Sequence, residues 1–223
     1  YQLNGSVHNH GGDVHILVQG EDENIGAFCR ALLAQAPLIA RPVLREKTRI
    51  ESRPLHAFEI LASVTPKAMN IHVAPDYFTC PDCLAEMGDP ADRRFEYPFI
   101  NCTQCGPRYT IIRALPYDRA NTTMADFSLC DACAAEYSDP ANRRYHAEPI
   151  ACPQCGPILS FESGANTEHN SARAMEYALE QLRKGEIISI KGIGGYHLCC
   201  DATNSETVQE LRWRKPRPHK PLA

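Results

Sequence analysis

The strongest constraint on this sequence is a set of eight cysteines arranged in four C-x-x-C pairs. Residues 80–107 align with residues 130–157 without a gap, at a period of 50 residues, and fifteen of the 28 aligned positions are identical. Both copies read C-x-x-C, then A-E, D-P-A-x-R-R, an aromatic residue and C-x-Q-C-G-P. Because the identity extends beyond the cysteines, the pattern predicts a duplicated structural unit.

Each copy supplies four thiols, with 18 residues between its two pairs. Two cysteines three positions apart on a tight turn can bind one ion, and four thiolates complete the tetrahedral shell of Zn²⁺ at about 2.3 Å each. Such a site has no open position for water or substrate, so we predict two structural zinc ions. In zinc-finger peptides this binding contributes about 10–16 kcal/mol, most of it as folding free energy. The predicted ligands are Cys80, Cys83, Cys102 and Cys105 in the first unit, and Cys130, Cys133, Cys152 and Cys155 in the second.

Other arrangements of these thiols are disulfides, an iron–sulfur cluster or free buried thiols. Iron–sulfur sites usually show tighter and less symmetric spacings, which favours zinc. Each repeat can close its own site, which we favour, or the outer pairs can share one ion and the inner pairs another. We expect His146 not to be a ligand, because the first repeat has Glu96 at that position. Gly106 and Gly156 are expected to bring a backbone amide close to thiolate sulfur, since glycine has no Cβ.

The composition is that of a globular protein, with 43% apolar and 22% charged residues. The net charge of -4 does not favour nucleic-acid binding. The sequence contains no run of about 18 apolar residues, so we predict no membrane-spanning helix. The first residues lack the basic and apolar segments of a secretion signal, and together with the metal-type cysteine pattern this predicts a reducing, cytoplasmic location. Since the chain starts at Tyr1 without an initiator Met, we expect it to be a piece of a longer protein.

Three regions differ in composition: residues 1–66, 67–160 and 161–223. In the first, helical spacing over 25–34 with Asn24 as N-cap and strand patterns over 14–18, 47–51 and 57–61 predict a small α+β sandwich. In the third, we predict a helix over 171–184 with Ser171 as N-cap and Gly185 as its stop, then a buried strand over 186–191. A glycine-rich turn and a helix over 204–214 should follow, as at the start of an α/β layer.

Several motifs together resemble the HypF family of carbamoyltransferases, which help to build the cyanide ligands of nickel–iron hydrogenases. They are C-P-D-C from Cys80, Y-P-F-I-N-C-T-Q-C-G-P-R-Y-T-I-I from Tyr97, P-Y-D-R from Pro116, the second set of knuckles, and I-K-G-I-G-G-Y-H-L-C-C-D-A from Ile190. The resemblance covers nearly the whole chain. It implies an α+β multidomain protein: a partial acylphosphatase-like α/β sandwich (1–66), a duplicated C4 zinc-finger domain (67–160) and the start of a YrdC-like α/β domain (161–223).

The resemblance also implies a reaction. Carbamoyl phosphate would be hydrolysed in the acylphosphatase-like domain, and the resulting carbamate would react with ATP in the YrdC-like domain to form carbamoyl adenylate. The carbamoyl group would then pass to the C-terminal cysteine of the partner HypE. Besides the two zinc ions, the implied cofactors are ATP and, with it, Mg²⁺.

Candidate site residues follow from the same resemblance. Asn9, in G-S-V-H-N, matches the acylphosphatase asparagine that orients the attacking water. Its partner, a glycine-rich phosphate loop with an arginine, should lie before Tyr1, so we expect the piece alone to lack acylphosphatase activity.

A basic patch near the end of the chain is the second candidate site. Lys215, Arg217 and Lys220 resemble the K-x-R stretch of YrdC-like nucleotide sites, and such cations suit a triphosphate. Without the resemblance, a solvated charged helix end is the better explanation of this patch. Lys191, beside the glycine run 192–195, lacks the spacing of a Walker or dinucleotide loop and becomes a nucleotide-site candidate through the resemblance alone.

The alternative to an enzyme is a C4 zinc-finger module that docks protein or nucleic acid. The paired arginines 93–94 and 143–144 are balanced by nearby acids, which disfavours DNA. The acids expected to balance them are Asp89, Asp92, Glu96, Asp139 and Glu148. A third interpretation makes the zinc region a spacer between catalytic domains, and it is compatible with the enzyme.

Overall fold

The computed structural model describes residues 1–36, 40–51, 55–62, 73, 75–192, 194–216 and 221–222. These residues form a small N-terminal sheet with one helix, two similar cysteine-rich units, and a C-terminal group of two hairpins and two helices. This mixed content, distributed over successive units, confirms the predicted α+β class. None of the helices in the described ranges has the length and apolar character needed to cross a bilayer.

The N-terminal sheet has the strand order β2-β1-β3. Strands β1 (Asn4–His10) and β2 (Asp13–Gln19) form an antiparallel hairpin, and β3 (Phe58–Ile60) pairs with β1 in parallel. The hairpin turn consists of two glycines with φ of 62° and 106°. Such a two-residue turn needs positive φ at both positions, and glycine adopts it without steric cost.

Predictions for this region are confirmed for two strands and the helix. The patterns at 14–18 and 57–61 become β2 and β3, and the helix is α1 (Asp22–Ala34). The cap of this helix is Glu21, three residues before the predicted cap Asn24, so the predicted cap was wrong. The predicted strand at 47–51 was also wrong, because these residues are exposed and have no ladder partner among the described residues.

The two cysteine-rich units have the same local structure. Each first knuckle starts a short helix, α2 (Pro81–Gly88) or α3 (Asp131–Ser138), whose second cysteine is buried on the first turn. Ile100 and Ile150, identical in the repeat, are buried beside the second knuckles. Cysteines make up much of the buried set in both units, so neither has a large apolar core of its own.

The C-terminal region begins with the hairpin of β4 (Phe161–Ser163) and β5 (Asn166–Glu168). Helix α4 (Ser171–Arg183) follows as predicted and ends before Gly185, whose φ is 81°. Its cap is Asn170, whose side chain accepts a 3.1 Å hydrogen bond from the Arg173 amide. Ser171, the predicted cap, instead accepts a hydrogen bond from the Leu159 amide at 3.0 Å.

The glycine-rich turn after β6 (Ile188–Gly192) leads into a second strand, β7 (Gly195–Cys199), and not directly into a helix as predicted. Within the described residues, β6 and β7 form a two-stranded sheet. Strand β6 is largely exposed, whereas a buried strand was expected. Helix α5 (Ser205–Arg214) then forms as predicted. It is capped by Asn204, whose side chain accepts from the amides of residues 206 and 207.

The glycines that follow the last knuckles do not direct their amides at sulfur, which corrects the sequence-based expectation. Gly106 N donates to the Tyr77 carbonyl at 3.0 Å, and Gly156 N donates to the Cys152 carbonyl at 2.9 Å. At Gly156 the absence of a side chain matters for a different reason. A Cβ atom there would lie 2.3 Å from Tyr97 Oη and 2.4 Å from Ala151 Cβ. Since Tyr97 belongs to the first unit and Gly156 to the second, the absence of a side chain at Gly156 permits close packing of the two units.

We therefore expect Gly156→Ala to destabilise the protein by about 1–3 kcal/mol, the usual penalty of overpacking a filled site. Gly88→Ala is the matched control, because a Cβ atom at Gly88 would meet nothing within 4 Å. Denaturant unfolding in zinc-saturated buffer measures both variants. Equal stability of the two would show that the units tolerate a wider separation at Gly156.

Candidate metal centre

The eight predicted cysteines gather into two groups of four, each drawn from one repeat. Within each group, the sulfur atoms all lie within 4.8 Å of one another. In the first group the distances between Sγ atoms are 3.7 Å for Cys80 and Cys102, 3.8 Å for Cys102 and Cys105, and 3.5 Å for Cys83 and Cys105. A tetrahedron with Zn–S bonds of about 2.3 Å has edges of about 3.8 Å, so this tetrad fits Zn²⁺.

The second tetrad has the same dimensions. Cys152 Sγ lies 3.7 Å from the sulfurs of both Cys130 and Cys155. A disulfide requires an S–S distance of about 2.05 Å, so these separations exclude the disulfide alternative. The grouping is the within-repeat arrangement that the sequence analysis favoured, and the interleaved arrangement is not found.

Local backbone geometry brings each tetrad together. In the first unit, the Cys80 carbonyl accepts the Leu84 amide at 3.0 Å, which starts α2 and places Cys83 next to Cys80. At the second knuckle, the Gln104 amide donates to Cys102 Sγ at 3.3 Å. Hydrogen bonds of this kind favour the thiolate over the thiol, which is the form that binds metal.

Two arginines of the first unit reach across to the tetrad of the second. Arg93 Nη2 donates to Cys133 Sγ at 3.1 Å and to Glu136 Oε2 at 2.7 Å. Arg94 Nη2 donates to the same carboxylate oxygen at 2.5 Å, and its Nε donates to the Ala151 carbonyl at 2.9 Å. The side chain of Arg94 is only 1% exposed, so Glu136 neutralises a buried cation.

The second unit makes the reciprocal contacts. Arg143 Nη2 donates to Cys83 Sγ at 3.1 Å, and its Nε donates to Glu86 Oε1 at 2.9 Å. Arg144 pairs with the same Glu86 carboxylate, and its Nε donates to the Asn101 carbonyl at 3.0 Å. Equivalent residues therefore exchange equivalent contacts, as in a twofold interface. We call this set of four arginines and two glutamates the cross-clamp.

The pKa values of the two cross-clamp glutamates reflect their arginine partners. Burial alone would raise the pKa of Glu86, but hydrogen bonds from Arg143 and Arg144 lower it to about 2. Burial opposes ionisation of Glu136 in the same way, and the hydrogen bonds from Arg94 and Arg93 lower its pKa to about 2. Both carboxylates are therefore charged at neutral pH, which keeps the guanidinium groups paired.

Turns formed by the D-P-A-x-R-R segment direct the arginines across the interface. Asp89 Oδ1 accepts the Ala91 amide at 2.9 Å, and Asp92 Oδ1 accepts the Arg94 amide at 2.7 Å. Asp139 and Asn142 make the same turns in the second unit, with distances of 2.9 Å each. Asp89, Asp92 and Asp139 therefore shape the backbone, although they were expected to balance the arginines.

Sequence reasoning missed the glutamates that do pair with the arginines. Glu86 and Glu136 belong to the A-E dipeptide that is identical in both repeats, as are both arginines. Identity outside the cysteines was therefore the available signal. His146 lies outside the tetrad, as predicted. Its imidazole packs against the rings of Tyr137 and Tyr145, with ring centroids 4.8 and 4.5 Å away.

The other candidate site residues lie on separate elements. Asn9 is exposed on β1, paired in register with Val14 of β2. Lys191 is exposed on β6, with its Nζ 6.0 Å from the ring centroid of Tyr196. Lys215 is exposed just after α5. The remaining two candidates, Arg217 and Lys220, lie outside the described residues.

Comparison with known proteins agrees with this geometry. The family profile described as the HypF finger matches residues 79–112 and 129–162, and a second profile of the YrdC group, described as telomere recombination, matches residues 180–223. Carbamoyltransferase HypF of Synechocystis sp. is 53% identical over 99% of this chain and 29% of its own length. Carbamoyltransferase HypF2 of Cupriavidus necator is 48% identical over 99% of this chain and 28% of its own length.

The chain belongs to the HypF family. A solved structure described as full-length HypF in the phosphate- and nucleotide-bound form superposes with a TM-score of 0.83 at 41% identity, covering 99% of this chain and 29% of that one. The structure of T. kodakarensis HypF gives a TM-score of 0.77 at 46% identity, covering 100% of this chain and 28% of that one. This HypF-family chain thus spans less than a third of the length of its relatives. Its two tetrads coincide with the two matches to the HypF finger.

Proposed function

We propose that the full-length protein containing this segment is a carbamoyltransferase that acts in the cytoplasm on carbamoyl phosphate and ATP and carbamoylates the C-terminal cysteine of HypE. The support is the level of identity, about half of all positions across nearly the whole chain, to relatives named carbamoyltransferases. Under this proposal the product serves cyanide-ligand synthesis for nickel–iron hydrogenases.

The proposed reaction has three balanced steps. Water attacks carbamoyl phosphate and releases phosphate and carbamate. A carbamate oxygen attacks the α-phosphorus of ATP, which forms carbamoyl adenylate and releases pyrophosphate. The HypE thiolate then attacks the carbamoyl carbon, forming a thiocarbamate as AMP leaves.

We further propose that residues 1–66 belong to the acylphosphatase-like domain, 67–160 to the zinc domain and 161–223 to the YrdC-like domain. Asn9 would orient water for the first step. Lys191, Lys215, Arg217 and Lys220 would hold the triphosphate, with Mg²⁺ as an accompanying ion. The bound phosphate and nucleotide of the full-length HypF structure support such sites for that protein.

For the cysteine-rich segment we propose a structural role, with one Zn²⁺ in each tetrad. Four thiolates fill the tetrahedral shell and leave no position for a reacting group. The observation that carries this role is the cross-clamp, which joins both units into one body. Under the proposed division of the chain, this body would lie between the two catalytic domains. The module would hold those domains in register.

A nucleic-acid docking role is less well supported. The arginines of the units are engaged by Glu86, Glu136 and the two tetrads, so they are not presented as a free basic surface. Phosphate-backbone binding depends on cations that can neutralise phosphates. The structure therefore favours the scaffold over the docking module.

The test of the enzymatic proposal is carbamoyl-phosphate-dependent exchange between ATP and pyrophosphate in the full-length protein. Lys191→Ala and Lys215→Ala should each lower exchange about 10- to 100-fold, as expected for lost contacts to a charged group. Lys184→Ala is the control, because Lys184 is engaged in an exposed ion pair with Glu180 at 2.7 Å. Mass spectrometry of HypE should show carbamoylation of its C-terminal cysteine. Exchange that does not require carbamoyl phosphate would contradict the proposal.

A further inference from the structure

One buried cysteine in each tetrad accepts a hydrogen bond from an arginine of the opposite repeat. Arg93, from the first unit, donates to Cys133 at 3.1 Å, and Arg143, from the second unit, donates to Cys83 at 3.1 Å. Both cysteine residues are completely buried. Given the structural zinc proposed above, we infer that each arginine pair stabilises the metal site of the opposite unit, so that the two zinc ions are bound cooperatively.

Charge gives the first reason. Zn²⁺ with four thiolates carries a net charge of -2, and a buried charge is unfavourable unless it is paired and hydrogen-bonded. The second tetrad receives this compensation from Arg93 and Arg94, whose Nη2 atoms lie 3.1 and 3.6 Å from Cys133 Sγ. The first tetrad receives it from Arg143, whose Nη2 and Nη1 atoms lie 3.1 Å from Cys83 Sγ and 3.9 Å from Cys80 Sγ. These hydrogen bonds place positive charge directly against the ligand sulfur of a site that would otherwise bury uncompensated negative charge.

Orientation gives the second reason. A carboxylate on the helix that carries the ligand holds the arginines over the sulfur: Glu136 on α3 for Cys133, and Glu86 on α2 for Cys83. The carboxylate accepts from the guanidinium, the guanidinium donates to the thiolate sulfur, and the thiolate would bind the metal. Outer-shell partners of this type orient the ligands, and their loss typically lowers metal affinity 10- to 100-fold.

Reciprocity then couples the sites. Loss of metal from the first unit releases the fold that positions Arg93 and Arg94, and the second tetrad loses its compensating charges. The same argument applies in the other direction through Arg143 and Arg144. A coupling free energy between two sites acts equally in both directions. Neither unit is therefore an independent metal-binding finger.

The test uses Arg93→Gln and Arg143→Gln in the zinc-loaded full-length protein. These two arginines are partly exposed, 32% and 26%, and are easier to replace than their buried neighbours. After addition of EDTA, pulses of N-ethylmaleimide followed by peptide mapping report metal loss for each tetrad separately. Arg93→Gln should accelerate labelling of the second tetrad first, by about 10- to 100-fold, and Arg143→Gln that of the first tetrad.

Three further measurements complete the design. Arg113→Gln is the matched control, since Arg113 lies in the same segment and pairs with Asp126 at 2.8 Å in an exposed position; it should release metal at the wild-type rate. Arg93→Lys, which keeps the charge but not the forked donor, should give an intermediate rate. Native mass spectrometry of the wild type during chelation should show two-zinc and zinc-free protein, with little one-zinc species.

Different results would contradict cooperative zinc binding and the presence of structural zinc. Faster loss from the tetrad of the mutated unit itself, wild-type rates in both variants, or a dominant one-zinc species would overturn the cooperative inference. A wild-type protein purified with no zinc would instead overturn the structural-zinc proposal. A variant that is purified with less than two zinc ions still decides the question, because labelling without EDTA identifies the empty tetrad.

Discussion

Cys83→Ser is expected to unfold the cysteine-rich module of the full-length protein, whereas Cys29→Ser leaves it folded. Cys83 is fully buried in the first tetrad, and Cys29 is a free cysteine on α1. A structural zinc contributes about 10–16 kcal/mol, which is as large as the whole net stability of a typical domain, about 5–15 kcal/mol. Loss of one ligand should therefore shift the module, residues 75–160, to its unfolded state.

Hydrogen exchange followed by mass spectrometry measures this result region by region. Peptides from both units should lose protection in Cys83→Ser, while peptides from α4 (Ser171–Arg183) keep theirs. Metal analysis should give fewer than two zinc ions for Cys83→Ser and two for Cys29→Ser. Full protection of the module in Cys83→Ser would mean that its core is stable without a complete tetrad.

Replacement of Glu136 by alanine is expected to destabilise the module by about 3–5 kcal/mol, the usual penalty for leaving a buried charge without its partner. Arg94 is 1% exposed and donates to Glu136 at 2.5 Å, so it would remain buried and unpaired. Glu136→Gln should be milder, because the amide oxygen can still accept a hydrogen bond.

Glu180→Ala is the control for this prediction. Glu180 lies on α4 and forms an i,i+4 pair with Lys184, which follows the end of the helix, and both side chains are more than half exposed, at 52% and 56%. Exposed pairs of this kind contribute little to stability, because water screens the two charges. The free energy of unfolding in zinc-saturated buffer should therefore separate the two variants clearly, and a loss below about 1 kcal/mol for Glu136→Ala would contradict a buried clamp.

Local chemistry explains which features were predictable. Helix α5 begins directly after Asn204 because the side-chain oxygen of this cap accepts hydrogen bonds from free amides of the first turn, and this depends on only a few residues. Strand β6 was predicted, but its partner β7 was missed and the run at 47–51 was wrongly predicted as a strand, because a strand exists only when another segment supplies its hydrogen bonds. That partner is not visible in a short window of sequence.

The candidate nucleotide and acylphosphatase residues are a different case. Asn9, Lys191 and Lys215 were chosen by resemblance, and their positions on exposed parts of three elements leave their roles as predictions. The Lys191→Ala and Lys215→Ala variants proposed above test the two lysines directly in the full-length protein.

The sequence by itself determined the two metal sites. Cysteine spacing, ligand chemistry and the 50-residue repeat were sufficient to predict two closed tetrads, because four thiolates and one tetrahedral ion allow few arrangements. The tertiary structure alone decided which unit each arginine pair serves. Arg93 and Cys133 are 40 positions apart in the chain, and their contact depends on how two units pack, a choice set by complementary charge and shape that no local pattern encodes.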